Sequence, residues 1–240
     1  MPELAEVEYF RKRWNPGLGR KVVGVRLNPK ARVGRGVDAK ALGQALTGAK
    51  LLESFAAAKQ MAFRFAGGAW LGVHLGMTGR LEAGDAEREP TPYDHFRLTM
   101  AGGRELVFVD PRQFGRIQFW RGEGVPPWWA KIPAAILSDA FTPGLVAAFL
   151  RRRARTSIKA VLLMQERFPG IGNWMADEVL WRAGFHPQAK AGSFGPKSVR
   201  KLHATLRAVC AEAMDVIGKD WSDPPDTWLF NHRWKDGGRC

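Results

Sequence analysis

The hydrophobic period changes once along this chain, and that change restricts the fold more than any other pattern in it. Between residues 21 and 120 the apolar segments are short, β-branched or aromatic, and punctuated by glycine: 21–27, 60–66, 69–75, 95–100, 105–109 and 116–120. Runs of that length and make-up read as strands. Gly67-Gly68 and Gly102-Gly103 stand between neighbouring runs, where a two-residue hairpin needs positive φ. This stretch predicts an antiparallel sandwich or barrel, with 38–46 as a short helix crossing over. Beyond residue 133 the apolar positions return every three or four residues. Thr142-Pro143 supplies a cap and a first-turn proline for a helix to about Arg153. Helices at 157–165 and 173–183 follow, the latter stopped by Gly184 and Pro187. A last one at 196–217 carries Val199, Leu202, Leu206 and Val209 along one face. Between the two regimes, 122–133 holds three prolines and a Trp128-Trp129 pair and reads as linker. The class is α+β: a strand-rich domain at 1–121, a linker across 122–140, a helical domain at 141–218 and a tail at 219–240.

A chain of 240 residues can fill two such cores. Its net charge of +14 is a footprint for a polyanion, nucleic acid first and an anionic membrane surface second. No run approaches the ~18 apolar residues of a spanning helix, and no charged-then-apolar leader opens the chain. No membrane partner is expected, and the expected place is the cytoplasm. Cys210 and Cys240 make no disulfide framework, which suits a reducing compartment. Ten Trp and fourteen Phe can stack on bases as readily as they fill a core.

The tip of the chain carries a possible nucleophile. Removal of Met1, permitted by the small neighbour Pro2, would leave a secondary amine with the Glu3 carboxylate beside it. Leu4, Val7, Phe10 and Trp14 recur at helical spacing, so a helix starts at once, with proline suited to its first position and acids to its first turn. A positive helix end disfavours an ammonium; terminal amines titrate near pH ~8, and such amines form Schiff bases with carbonyl carbons. The same residues would also make an ordinary capped helix. A second candidate is Phe168-Pro169-Gly170-Ile171-Gly172-Asn173, where glycine amides can approach a phosphate and Asn173 can cap a helix whose N-terminus attracts anions. A tight turn between helices needs the same residues.

Four separated motifs share an order. They are Pro2-Glu3-Leu4-Ala5-Glu6-Val7-Glu8, His74-Leu75-Gly76-Met77-Thr78-Gly79, Asp110-Pro111-Arg112-Gln113-Phe114-Gly115, and a helical set. The last comprises Lys159, Gln165, Gly170-Ile171-Gly172-Asn173, Ala176-Asp177-Glu178-Val179-Leu180 and Ala183-Gly184-Phe185-His186-Pro187. Together they resemble the formamidopyrimidine-DNA glycosylase / endonuclease VIII family. Ala5 departs from the proline usual there. The resemblance implies an N-terminal β-sandwich followed by a helix-two-turn-helix, in place of the helix-hairpin-helix of other glycosylases, which shares the Pro-Gly-x-Gly turn. It implies a monomeric base-excision repair enzyme acting on duplex DNA that contains a damaged base. In that likeness Pro2 is the nucleophile, Glu3 protonates the sugar ring oxygen, Glu6 is a further site carboxylate, and Lys59 is a general acid/base or phosphate contact. Met77, Arg112 and Phe114 would fill the gap left by an extruded nucleotide, Arg112 facing the orphaned base and Phe114 wedging the stack. His74, His95, Lys159, Gly172 and Asn173 fall at DNA-side positions of the same pattern, His95 being equally a structural histidine. Arg151-Arg152-Arg153 with Arg155 could line the DNA groove. The loop with Arg112 and Phe114 implies oxidised purines, such as 8-oxoguanine and formamidopyrimidines, over the oxidised pyrimidines of the endonuclease VIII branch.

Residues 228–240 resemble the approach to the family's four-cysteine zinc finger, with Cys240 at the first ligand. A structural zinc needs four ligands, and Cys210 falls in the apolar stripe of a helix. Zinc is therefore implied by the resemblance while its ligand set is incomplete, and the finger is expected to be lost or cut short. A non-catalytic binder of damaged or structured nucleic acid with the same fold is the alternative expectation. An RNA-binding module is a third, and the acidic N-terminal signature speaks against it.

Overall fold

The computed structural model describes residues 1–85 and 88–233. They gather into two compact units: Met1–Pro2 with Val7–Lys131, and Glu3–Glu6 with the chain from Ile132 onward.

The first unit contains β1 (Val22–Leu27), β2 (Leu51–Ala57), β3 (Gln60–Phe65), β4 (Ala69–His74), β5 (Arg80–Asp85), β6 (Asp94–Met100), β7 (Arg104–Val109) and β8 (Arg116–Arg121). They form two four-stranded antiparallel sheets, ordered β1-β6-β7-β5 and β2-β3-β4-β8, which is a sandwich. Alternate residues of each sheet face one core: Met61, Phe63 and Phe65 from β3, Leu71 and Val73 from β4, Phe96 and Leu98 from β6, Leu106 and Phe108 from β7. Each large side chain removed from water there contributes about 2 kcal/mol. Trp14 sits among them, its ring 4.6 Å from that of Phe63. The hairpin glycines adopt the positive φ expected: 79° and 73° at Gly67 and Gly68, 87° and 72° at Gly102 and Gly103. Asp38 caps α1 (Ala39–Leu46) by accepting the amides of Lys40 and Ala41.

Two strands lie outside the expected set. β2 reads Leu-Leu-Glu-Ser-Phe-Ala-Ala and β5 reads Arg-Leu-Glu-Ala-Gly-Asp, so alanine, serine and charge dilute the apolar alternation. Both are edge strands, each paired on one side only. The expected linker is also partly structured. Its helical turn Pro127–Ala130 packs on the outer face of β2-β3-β4-β8, with the Trp129 ring 6.3 Å from Phe55 and Trp128 so close over Gly72 that a Cβ there would lie 2.6 Å from its indole.

The second unit is helical. α2 (Pro143–Arg152) is capped by Thr142, whose hydroxyl accepts the Leu145 amide. α3 (Ile158–Leu162) is shorter than the 157–165 expected, because the Gln165 side chain stitches the following turn. Its amide donates to the carbonyls of Leu163 and Ile171, and its oxygen accepts the Gly170 amide. α4 (Asn173–Ala183) ends at Gly184 with φ 67°. α5 (Pro196–Ala213) buries the predicted stripe of Val199, Leu202, Leu206 and Val209, then continues as a π-helical turn, Met214–Gly218. Tail residues Trp228 and Phe230 pack against Trp174 of α4. The N-terminal helix, Leu4–Lys12, buries Ala5 in this second core and Val7 in the first.

Candidate functional site

The first turn of α4 holds an anion, and that anion is the protein's own Glu3. The first amides of a helix have no intrahelical partner. Here the Gly172 and Met175 amides donate to Glu3 Oε2 at 2.8 and 3.1 Å, and the Trp174 amide donates to Oε1 at 3.0 Å. Glu3 is 3% exposed. Gly172 is required by this approach: a Cβ at that position would lie 2.3 Å from the Glu3 carboxyl carbon. The sequence pattern pointed to a phosphate at these amides and to Asn173 as the cap. Gly172 instead occupies the cap position and gives its amide to Glu3, while Asn173 is the first helical residue, exposed, and makes no capping bond.

The N-terminal helix also begins later than expected. Its first residue is Leu4, so Pro2 lies outside the helix and Glu3 takes the cap position. The Leu4 amide donates to the Gly170 carbonyl at 3.0 Å. Glu6, three residues past the cap, reaches back to accept the Glu3 amide at 3.1 Å, which is half of a capping box. Its other oxygen accepts the Trp174 indole N–H at 2.8 Å. Burial pushes the Glu6 carboxyl above the usual range, against the pull of these donors.

In the strand unit the chain tip lies beside a lysine. Lys59 Nζ is 4.0 Å from Met1 Sδ. Lys59 occupies the two-residue turn between β2 and β3, after Ala58, whose φ of 56° is left-handed and strained for a residue with a Cβ. Register places Gln60 opposite His74, and His74 opposite Arg116. His74 Nδ1 accepts the Gly76 amide at 3.1 Å. Burial, with Lys59 and Arg116 adding positive charge nearby, holds the His74 imidazole below its ordinary pKa, so it is neutral near pH 7.

Met77, Arg112 and Phe114 all stand exposed, Met77 at 43% and Phe114 at 52%, and the Arg112 guanidinium lies over the Phe114 ring at 4.9 Å. Their base is rigid. The buried Asp110 carboxylate accepts the Thr78 hydroxyl at 2.9 Å, the Arg112 amide at 3.3 Å and the Gly115 amide at 2.7 Å, tying the two loops to one group. Gly76, at φ 64°, packs so tightly that a Cβ would lie 2.3 Å from the Phe114 carbonyl carbon. Gln113, at φ 53°, accepts the Arg32 amide through its side chain. His95 is only 2% exposed and bonds the Asp110 carbonyl through Nε2 at 2.9 Å, which supports this loop from within.

Lys159 pairs with Asp177 at 2.7 Å and keeps a third of its side chain exposed. Cys210 is buried in α5 and its thiol is pushed up to about 12, chiefly by burial, which makes it a core group. Among the described residues no cluster of His, Cys, Asp or Glu is fit to hold a metal. Cys240, expected as the first zinc ligand, lies outside the described residues. Among the described residues the ligand set does not fit zinc. Asp110, Trp174 and the strained Ala58 escaped sequence reasoning. Only Asp110 carried a signal, since an Asp-Pro opening a loop favours side-chain acceptance of its amides.

The formamidopyrimidine-DNA glycosylase N-terminal domain model matches residues 1–117, and the helix-two-turn-helix domain model of the same enzymes matches 133–223. The chain belongs to the formamidopyrimidine-DNA glycosylase family. The formamidopyrimidine-DNA glycosylase of Solibacter usitatus is 36% identical over 239 residues, 97% of this chain and 87% of that one. Among solved structures, the MutM (Fpg) protein of Thermus thermophilus matches with a TM-score of 0.76 at 36% identity, covering 92% of this chain and 79% of that one. The Lactococcus lactis enzyme bound to DNA containing FAPY-dG matches with a TM-score of 0.82 at 26% identity, covering 89% and 80%. Membership makes this chain an enzyme, a DNA glycosylase. Among the described residues no helix is long and apolar enough to cross a membrane.

Proposed function

We propose that this chain is a bifunctional glycosylase and lyase that acts as a monomer on duplex DNA, removing oxidised purines through a Schiff base on Pro2. The observation supporting it is the fixed Glu3 carboxylate, on the residue that directly follows the proline whose nitrogen loss of Met1 would free. The basic surface holds the duplex, and the damaged nucleotide is flipped out, as chemistry at a glycosidic bond requires. Met77, Arg112 and Phe114 fill the vacated space. The Pro2 amine attacks the sugar C1′ while the bond from C1′ to the base breaks. Glu3 takes the proton the amine gives up and passes it to the ring oxygen as the sugar opens to an iminium. Loss of a C2′ proton with the 3′ phosphate, and then of a C4′ proton with the 5′ phosphate, cuts the strand on both sides. Lys59 is suited to the proton transfers or to a phosphate beside the lesion.

The relative solved with FAPY-dG DNA supports a preference for oxidised purines. Borohydride added during reaction with an 8-oxoguanine duplex should reduce the iminium and leave a covalent adduct that peptide mapping places on Pro2. A protein that binds the duplex and yields no adduct would be a non-catalytic binder. Side-by-side excision should favour 8-oxoguanine over thymine glycol, and the reverse order would move the chain to the oxidised-pyrimidine branch.

A further inference from the structure

We infer that Trp174 is a positioning residue for the reactive chain tip, acting through Glu6, and that the tail residues Trp228 and Phe230 hold it in place. Two hydrogen bonds make the relay. The Trp174 indole N–H donates to Glu6 Oε1 at 2.8 Å, and Glu6 Oε2 accepts the Glu3 amide at 3.1 Å. That amide belongs to the peptide bond following Pro2. The peptide plane that ends at the Pro2 Cα, one bond from the nucleophilic nitrogen, is thus oriented by a carboxylate, and the carboxylate by an indole.

The indole has little freedom of its own. Trp174 is 7% exposed. Trp228 stacks on it with ring centroids 6.1 Å apart and planes within 20°, and Phe230 meets it edge-on at 5.2 Å. Those two residues are themselves anchored through Glu178, which is fully buried. One of its oxygens accepts the Phe230 amide at 3.2 Å, the other accepts Arg182 Nε at 2.8 Å, and the Arg182 guanidinium lies 5.2 Å from the Trp228 ring. Aromatic filling alone would explain stacking at this place. It does not explain why the N–H points at a buried carboxylate whose second oxygen holds the chain tip. A phenyl ring would fill most of the space and leave Glu6 one donor short. Loss of a donor to a buried charged group is among the more costly single deletions, so the carboxylate would turn toward other partners and release the Glu3 amide.

The inference rests on the Pro2 chemistry proposed above, and the test separates the two. In Trp174→Phe, hydrogen exchange at the Glu3 amide should accelerate at least ~10-fold relative to amides elsewhere in the helical unit. The single-turnover excision rate on an 8-oxoguanine duplex should fall ~10-fold, with affinity for an uncleavable abasic-site duplex within ~2-fold of wild type. β-(3-Benzothienyl)alanine at position 174 alone keeps the bicyclic shape and lacks the N–H. It should reproduce both effects even where the phenyl variant packs poorly. Phe230→Leu should move the same readouts in the same direction by less. Unchanged Glu3 exchange in the benzothienyl variant overturns the inference whether or not the enzyme is active. Absence of a borohydride adduct in wild type, with Glu3 exchange still accelerated, overturns the Pro2 chemistry alone.

Discussion

Gly172→Ala isolates the contact between Glu3 and α4. The backbone at Gly172 has φ −128°, a region any residue adopts, so the methyl introduces no backbone strain. What it meets is Glu3: the added Cβ would sit 2.3 Å from both Cδ and Oε1. Restoring an ordinary contact near 3.4 Å moves the carboxylate by about 1 Å. Its bonds to the Gly172, Trp174 and Met175 amides, now 2.8, 3.0 and 3.1 Å, would all lengthen past hydrogen-bonding range. Bonds to charged groups contribute about 1.5–3 kcal/mol each. Water can replace some of them, so about 3 kcal/mol of stability should be lost. On the role proposed for Glu3, a 1 Å misplacement costs ~10²-fold in rate. Gly195→Ala is the control. Gly195 caps α5 with φ −71°, and nothing lies within 4 Å of an added Cβ. It should lose only a few tenths of a kcal/mol. The assays are urea unfolding of both variants and single-turnover excision at saturating enzyme. A Gly172→Ala enzyme matching Gly195→Ala in both would refute the claim that the carboxylate position is set by these three amides.

Other perturbations test the strand unit. Asp110→Asn replaces an acceptor-only group with one bearing an N–H that must face the Thr78 hydroxyl, the Arg112 amide or the Gly115 amide. It should cost about 1–3 kcal/mol and blur discrimination of the base opposite the lesion, measured as the ratio of excision rates across the four opposing bases. Ala58→Gly relieves a left-handed Cβ and should leave stability equal or higher, whereas Ala58→Val should cost at least about 1 kcal/mol, both read from urea midpoints. His74 has a depressed folded pKa, so below its unfolded value of about 6.5 the unfolded chain takes up the proton first. Its contribution to stability should be complete above that pH and decline as pH falls toward the folded value. His74→Gln, compared at pH 7.5 and 5.5, should show a smaller decline than wild type.

Legibility in the sequence followed the range of the interactions involved. Strands β3, β4, β6 and β7 were visible because Phe, Val, Leu and Met alternate at a period set by local geometry. β2 and β5 were not, since an edge strand can be stabilised by pairing with its neighbour while carrying Ala, Ser and Gly. Thr142, Gly184 and Asp38 declared helix ends through bonds to residues two to four positions away. Glu3 could be read as a site carboxylate only through family likeness. Its partners are 169 to 172 residues distant, and nothing in Gly172 itself distinguishes a glycine that admits a phosphate from one that admits a glutamate. The choice of Asn173 as cap failed for the same reason: the cap was supplied from the other end of the chain. His95 was readable either way, and its bond to the Asp110 carbonyl spans a distance in sequence that no local pattern announces.

The way acidic residues are satisfied bears on how such a chain grips a polyanion. Glu3, Glu6 and Asp110 are all buried, and the donors found for them are backbone amides, an indole and a hydroxyl. A helix terminus supplies partial positive charge to Glu3 without any cation, whereas the buried Glu105 and Glu178 are paired with Arg97 and Arg182. Arg112, Arg116, Arg151 and Arg152 are exposed, with no carboxylate in pairing range among the described residues. Cations left in that state carry counterions that a phosphate backbone can displace. About six such contacts should weaken DNA affinity ~10³-fold between 50 and 200 mM salt. The dependence should be the same for damaged and undamaged duplexes, because none of these groups needs the lesion to present its charge. A flat salt response would place the surplus of positive charge away from the DNA.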